Sequence, residues 1–188
     1  MNTLPTIKNA SQAEMFVSSR VEEGSDYIKI VYNANAQGMP SINQETLQAV
    51  IASAQSRGKL AVVHISNYPS ALDAIKAGAN GLVHSFMDKT DMSPLVNLMA
   101  KNSQFIIPTL SVMDSMAGAK NSQQLLSDFE KQGFDLSAQK TQLSTLLSNK
   151  HNASASAQAK HNVNTFLDAG VLILAGTDAP NPGTAHGI

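Results

Sequence analysis

The sequence predicts an α/β fold, part of a (β/α)8 TIM barrel, and three observations carry that prediction. Five short apolar runs alternate with helical patterns, as βα units of a parallel sheet do. Four of the runs contain or lead into a residue that can hold a divalent metal: Lys29 within 27–32, His64 closing Leu60–His64, His84 closing 81–84, and Asp178 after 171–175. In parallel α/β folds the chemistry gathers at the carboxyl ends of the strands. Finally, a complete eight-stranded barrel takes about 250 residues, whereas these 188 residues give five units. The chain therefore reads as the later part of a barrel without its earlier strands, organised as one partial domain over 1–188.

The elements follow in order. Ala13, Phe16, Val17 and Val21 recur at helical spacing and stop at Gly24, a helix C-cap position. The first strand, 27–32, comes next. Asn43 is read as the N-cap of a helix whose Leu47, Val50, Ile51 and Ala54 share one face before Arg57 and Gly58 end it. Leu60–His64 is the second strand. A shorter helix over 70–78 carries Ala71, Leu72 and Ile75, and 81–84 is the third strand. Pro94 starts a helix with Leu95, Leu98 and Met99, and 105–109 is the fourth strand, with Pro108 marking its end. Between 110 and 169 the stripes around Leu125–Phe129, Leu143–Leu147 and Val163–Leu167 are helical, and 149–160 is read as helix rather than linker because of its alanines. Gly170 closes the last helix before the fifth strand, 171–175.

Composition narrows the function classes. With 43% hydrophobic residues, 14% charged residues and a net charge of −1, the chain can bury a core and carries no footprint for nucleic acid or a membrane surface. Zero cysteines exclude disulfides and thiolate metal sites, leaving histidine, carboxylate and unusual lysine chemistry. No transmembrane span or signal peptide is read, so the chain as written is expected to be soluble and cytoplasmic.

Each candidate residue has a plain alternative. Lys29 alternates with Ile28 and Ile30, so its ammonium should point into the barrel, where an unpaired charge is costly. It either pairs with Asp26 or Asp178, or serves in catalysis or metal bridging. His64 and His84 are each explicable as hydrogen-bonded structural residues, but two at equivalent strand ends shift the balance towards ligands. Asp178 reads also as the N-cap of the next helix or turn, ahead of Ala179 and Pro180. Tyr32 and His186 are candidates for substrate contact, against packing and an exposed terminal histidine respectively, and Ser66, Asn67 and Tyr68 follow His64 in the same sense. His151 and His161 are expected to face solvent in a long helical segment. Gly176, Gly183 and Gly187 leave open a phosphate-binding loop instead.

In their order, the segments GSDYIKIVY, LAVVHIS, AGANGLVHSFMD, FIIPTLSV and VLILAGTDAP resemble the second half of the metal-dependent amidohydrolase superfamily, in its imidazolonepropionase-like and prolidase-like branch. The resemblance implies barrel strands four to eight, without the N-terminal strands or the flanking β-sandwich. It implies a strand-four lysine, often carboxylated, that bridges two metals, here Lys29. It further implies that His64 and His84 bind the second metal, and that Asp178 binds the first and accepts a proton from the attacking water. One or two divalent metals, Zn2+ by type, and a small amide, cyclic amide or dipeptide substrate follow from it. The family's strand-one His-x-His pair has no counterpart among His64, His84, His151, His161 and His186. A partial metal site with little or no turnover is therefore expected of this chain, with a homo-oligomer or a completing chain as possible partner. The alternative is a non-catalytic barrel fragment used for binding or assembly.

Overall fold

The computed structural model describes residues 5–34, 40–89 and 91–186. Its five strands are β1 (Tyr27–Val31), β2 (Leu60–His64), β3 (Gly81–Val83), β4 (Phe105–Ile107) and β5 (Leu172–Ile173). They pair in parallel, each with the next in the chain, giving the order β1-β2-β3-β4-β5. Right-handed crossovers between sequentially ordered parallel strands place the connecting helices on one face of the sheet. The other face stays bare.

Strand register makes this division visible residue by residue. Ile30, Val63, Leu82, Ile106 and Ile173 stand in one row across the sheet, and the first four are at most 5% exposed because the helices cover them. The adjacent row, Lys29, Val62, Gly81, Phe105 and Leu172, faces the opposite way. On that helix-free face Tyr27, Val31, Leu60 and Leu172 are all about half exposed, between 49% and 57%. Gly81 is demanded here by contact, since an added Cβ would lie 2.2 Å from the Phe105 ring.

The helices α1 (Ala13–Glu22), α2 (Gln44–Ser56), α3 (Tyr68–Lys76) and α4 (Ser93–Lys101) connect and cover the first four strands. Asn43 and Asn67 cap α2 and α3 by accepting from the Thr46 and Ser70 backbone N–H, each at 2.9 Å. Asn67 starts α3 two residues earlier than the apolar stripe suggests, with Pro69 in its first turn. Gly24, Gly58, Gly78 and Gly170 all have positive φ just past helix ends, the geometry that terminates each helix without steric cost.

After β4 come α5 (Leu110–Met116), α6 (Asn121–Lys131) and α7 (Lys140–Ser144), then α8 (Ala153–Asp168), which packs on β5 and α5. The helix read over 149–160 starts only at Ala153, because Asn152 caps it by accepting from the Ala155 N–H. Leu147 lies outside α7 and is 47% exposed. The main core sits between the sheet and the helices that flank it, and a satellite core of Leu126, Leu143 and Ala185 joins α6 and α7 to the segment after β5. No helix among the described residues is long and apolar enough to cross a membrane.

Candidate functional site

The alternation in β1 buries Ile28 and Ile30 under helices and turns Lys29 onto the helix-free face. His64 ends β2 in register with Val31 on one side and Val83 on the other. His84 follows β3 directly, with its backbone N–H donating to the Ile107 carbonyl at 2.9 Å. The two imidazole rings meet edge to face, their centroids 4.4 Å apart. The His84 Nδ1 sits 2.7 Å from the Thr109 Oγ1, which fixes the ring and leaves Nε2 as its other nitrogen.

Three residues in the loops that follow strands have positive φ: His84 (φ 76°) directly after β3, Thr109 (φ 47°) two residues after β4 and Asp178 (φ 60°) further along the loop after β5. Such conformations cost free energy for residues with a Cβ and concentrate where a site is held in a set geometry. Asp178 is held within its own turn, where the Asn181 Nδ2 donates to its carboxylate Oδ2 at 2.9 Å and to its carbonyl at 2.7 Å. Asp178 thus opens a turn and not a helix, one of the two forms of its plain reading.

The four groups act on one another electrically. Burial pushes the Lys29 ammonium below its usual range, and the negative charge of Asp178 partly offsets that. His64 is lowered by burial and then by the Lys29 charge, with Asp178 opposing. His84 is lowered to about 4 by burial first and His64 second, again with Asp178 opposing and Lys29 adding. Both shifts favour the neutral imidazole, the form in which histidine binds a metal. Lys29 forms no ion pair among the described residues, so neither Asp26 nor Asp178 neutralises it by contact.

A divalent ion is implied by the resemblance, and the residues fit it in type but not in number. His64 and His84 offer two neutral imidazoles side by side. Yet no group of three or more histidine, cysteine or acidic side chains close enough to hold a metal exists among the described residues. The expected set of Lys29, His64, His84 and Asp178 is thus brought to one region without forming a closed ligand cluster. Asp178 is exposed, and its carboxylate is engaged by Asn181.

Two further candidates are placed elsewhere. Tyr32 is only 3% exposed, turned to the helix side with its hydroxyl donating to Asp73 of α3 at 2.9 Å, and burial and Asp73 push its pKa up to about 12. Its side chain packs against α3 at the edge of a shallow pocket lined also by Asn33, Ala34 and Ser41. His186 is exposed in a turn. Among the residues after His64, Asn67 caps α3, and Tyr68 stacks edge to face on Phe86. His151 and His161 are exposed as expected, although the His151 Nδ1 lies 3.2 Å from the Gly118 carbonyl oxygen. For the phosphate reading, the Gly183 N–H is already donated to the Gln142 carbonyl at 2.7 Å, and Gly187 lies outside the described residues. Sequence reasoning missed Thr109 and Asn181, and the only signal for either was position: one ends the FIIPT run, the other follows Asp178 by three.

No protein-family model matches the sequence, and comparison with curated proteins finds no significant match. Solved structures do resemble the fold. A Xaa-Pro dipeptidase with methionine bound in its active site matches 95% of this chain and 41% of its own, at 22% identity and a TM-score of 0.65. An amidohydrolase structure matches 97% and 44%, at 18% identity and a TM-score of 0.65. The ochratoxinase of A. niger matches 98% and 40%, at 19% identity and a TM-score of 0.59. The chain thus has the fold of part of an amidohydrolase-type structure, spanning about two fifths of the length of those it matches.

Proposed function

We propose that this chain is part of a metal-dependent hydrolase of amidohydrolase type that cleaves a carbon–nitrogen bond in a small amide, cyclic amide or dipeptide. One observation carries the reading: the His64 and His84 rings, from the ends of β2 and β3 in a singly wound sheet, meet with centroids 4.4 Å apart at its carboxyl edge, within reach of the charges of Lys29 and Asp178. That edge is where barrel enzymes place their chemistry. In the complete enzyme His64 and His84 would contribute ligands to a site for one or two divalent ions, Zn2+ by donor type, with Lys29, carboxylated, and Asp178 as its further candidates, whereas this chain alone offers only part of that site. A bound ion supplies Lewis-acid activation of water and substrate. Asp178 would be the group to accept a proton from water and return it to the leaving amine, and the Asn181 Nδ2 donates to its carboxylate at 2.9 Å.

The bare apolar face favours a second, compatible reading. Tyr27, Val31, Leu60 and Leu172, exposed by 49% or more, suit docking against further polypeptide, from a second copy or a completing chain. Zinc analysis of the purified chain, with assays on a Xaa-Pro dipeptide and N-acetyl amino acids with and without chelator, tests the proposal. At most one zinc per chain and slow, chelator-sensitive hydrolysis are expected. Two zinc ions with robust turnover would contradict the partial site, and turnover indifferent to chelator would contradict the metal chemistry.

A further inference from the structure

The helix-free face of the sheet carries its largest apolar side chains in the open. Tyr27, Val31, Leu60 and Leu172 are between 49% and 57% exposed, and Leu174, which follows Leu172 on the same side, is 38% exposed. The sheet is also open along both margins. Among the described residues β1 pairs only with β2 and β5 only with β4, and an unpaired strand edge is a template for pairing with another chain.

Area sets the size of the partner. The chain exposes 10466 Å², whereas a compact monomer of 19.9 kDa exposes about 8,700 Å² by the usual scaling with mass. The excess of about 1,800 Å² is more than twice the roughly 800 Å² that each partner buries in a standard interface, and it falls in the range of permanent dimers. A docked peptide would leave most of it in water.

Two copies of the chain answer each other's needs. Because β1 and β5 run in the same direction, the β5 edge of one copy meets the β1 edge of another as one more parallel pair, and a two-fold axis repeats that contact at the other margin and closes the ring. The helices then stay outside and both bare faces turn to a shared interior. Such a ring is wider than the eight-stranded one whose interior side chains just fill it, and Tyr27, Leu60, Phe105 and Leu172 of each copy supply the bulk for it. Packing the two bare faces flat against each other is the poorer solution, since it would press the Lys29 ammonium of each copy into the apolar patch of the other, where an unpaired charge is costly. With a net charge of −1, two copies scarcely repel one another.

We propose that a second copy of this chain covers the bare face, with β5 of each copy paired in parallel to β1 of the other. The proposal rests on the docking reading above, commits it to one occupant, and does not depend on the zinc chemistry.

Sedimentation of the purified chain across micromolar concentrations should give a species of twice the 19.9 kDa of one chain. Val31→Lys and Leu172→Lys put a charge on either side of the contact and should each weaken the dimer at least a hundredfold, whereas Met15→Lys, on α1 and 72% exposed, should leave it unchanged. The pairing itself is read by thiol cross-linking, which the absence of native cysteine makes clean and which still answers if a lysine variant fails to fold. Val31→Cys mixed with Leu172→Cys should join through a short bismaleimide far more than either variant joins to itself. Like-with-like cross-links, or open assemblies that lengthen with concentration, overturn the proposal. A monomer that purifies with an unrelated chain on this face overturns it and leaves the docking reading standing, and a monomer with no partner sinks both. A dimer that binds no zinc supports the proposal and counts against the hydrolase reading alone.

Discussion

His64→Ala is expected to weaken zinc binding by at least a hundredfold, roughly 3 kcal/mol at 1.4 kcal/mol per factor of ten, and His84→Ala to do the same. The reason is the small number of donors. The two rings, 4.4 Å apart, are the one pair of imidazoles in contact, and no third histidine, cysteine or carboxylate joins them among the described residues. Because Asp178 does not close up on the pair, losing one ring removes half of the imidazole nitrogens that the site offers. Thr109→Val should act more gently, since it removes only the hydroxyl that orients His84, and partners of this kind typically contribute 10–100-fold. Calorimetric titration of zinc into the three variants checks the ranking. Undiminished affinity in His64→Ala or His84→Ala would show that zinc binds elsewhere.

Phe166→Ala is expected to lower stability by about 3–5 kcal/mol, the usual cost of emptying a fully buried aromatic site. Domains of this size are stable by about 5–15 kcal/mol, so the variant should unfold at a much lower urea concentration or fail to accumulate. Phe166 is 0% exposed and meets Phe86 edge to face at 6.4 Å, while Phe86 meets Tyr68 of α3 at 5.7 Å. The neighbouring Asn162 adds a 2.8 Å bond from its Nδ2 to the Phe86 carbonyl. This chain of contacts ties α8 to the segment just after His84, so Phe166→Ala should also loosen the histidine pair. Met15→Ala, at a position 72% exposed, provides the control and should stay within about 0.5 kcal/mol of the parent. Equal urea midpoints for the two variants would mean that α8 does not pack as described.

The strand centres were legible because Ile28, Ile30, Val63, Leu82 and Ile106 form apolar runs that only a helix-covered sheet explains. Strand ends were less so. The readings 81–84 and 105–109 ran past Val83 and Ile107 because His84 and Thr109 leave extended backbone for left-handed geometry, a choice set by tertiary contacts that neither residue's propensity reveals. The helix Leu110–Met116 was not read at all, being short and rich in serine and methionine. Tyr32 could have been placed from the alternation itself: the pattern that turns Lys29 inward turns Ile28, Ile30 and then Tyr32 towards the helices. The placement of Lys29 on the helix-free face of β1 and of His64 beside it followed from the same parity, whereas His84 reaches that face only through its left-handed backbone. The turn that engages Asp178 with Asn181 was not, because it depends on how the β5 loop docks on α7 rather than on any local pattern.

The convergence of these four groups is tested most directly by NMR titration of His64 and His84 in the parent chain, in Lys29→Met and in Asp178→Asn. In the parent both histidines should titrate below the ordinary histidine value of about 6.5, His84 near about 4. Removing the Lys29 charge should raise both values, and removing the Asp178 charge should lower both, since the two charges act with opposite sign on each ring. Histidines that titrate near 6.5 and ignore both substitutions would contradict the shared site on which the proposed function depends.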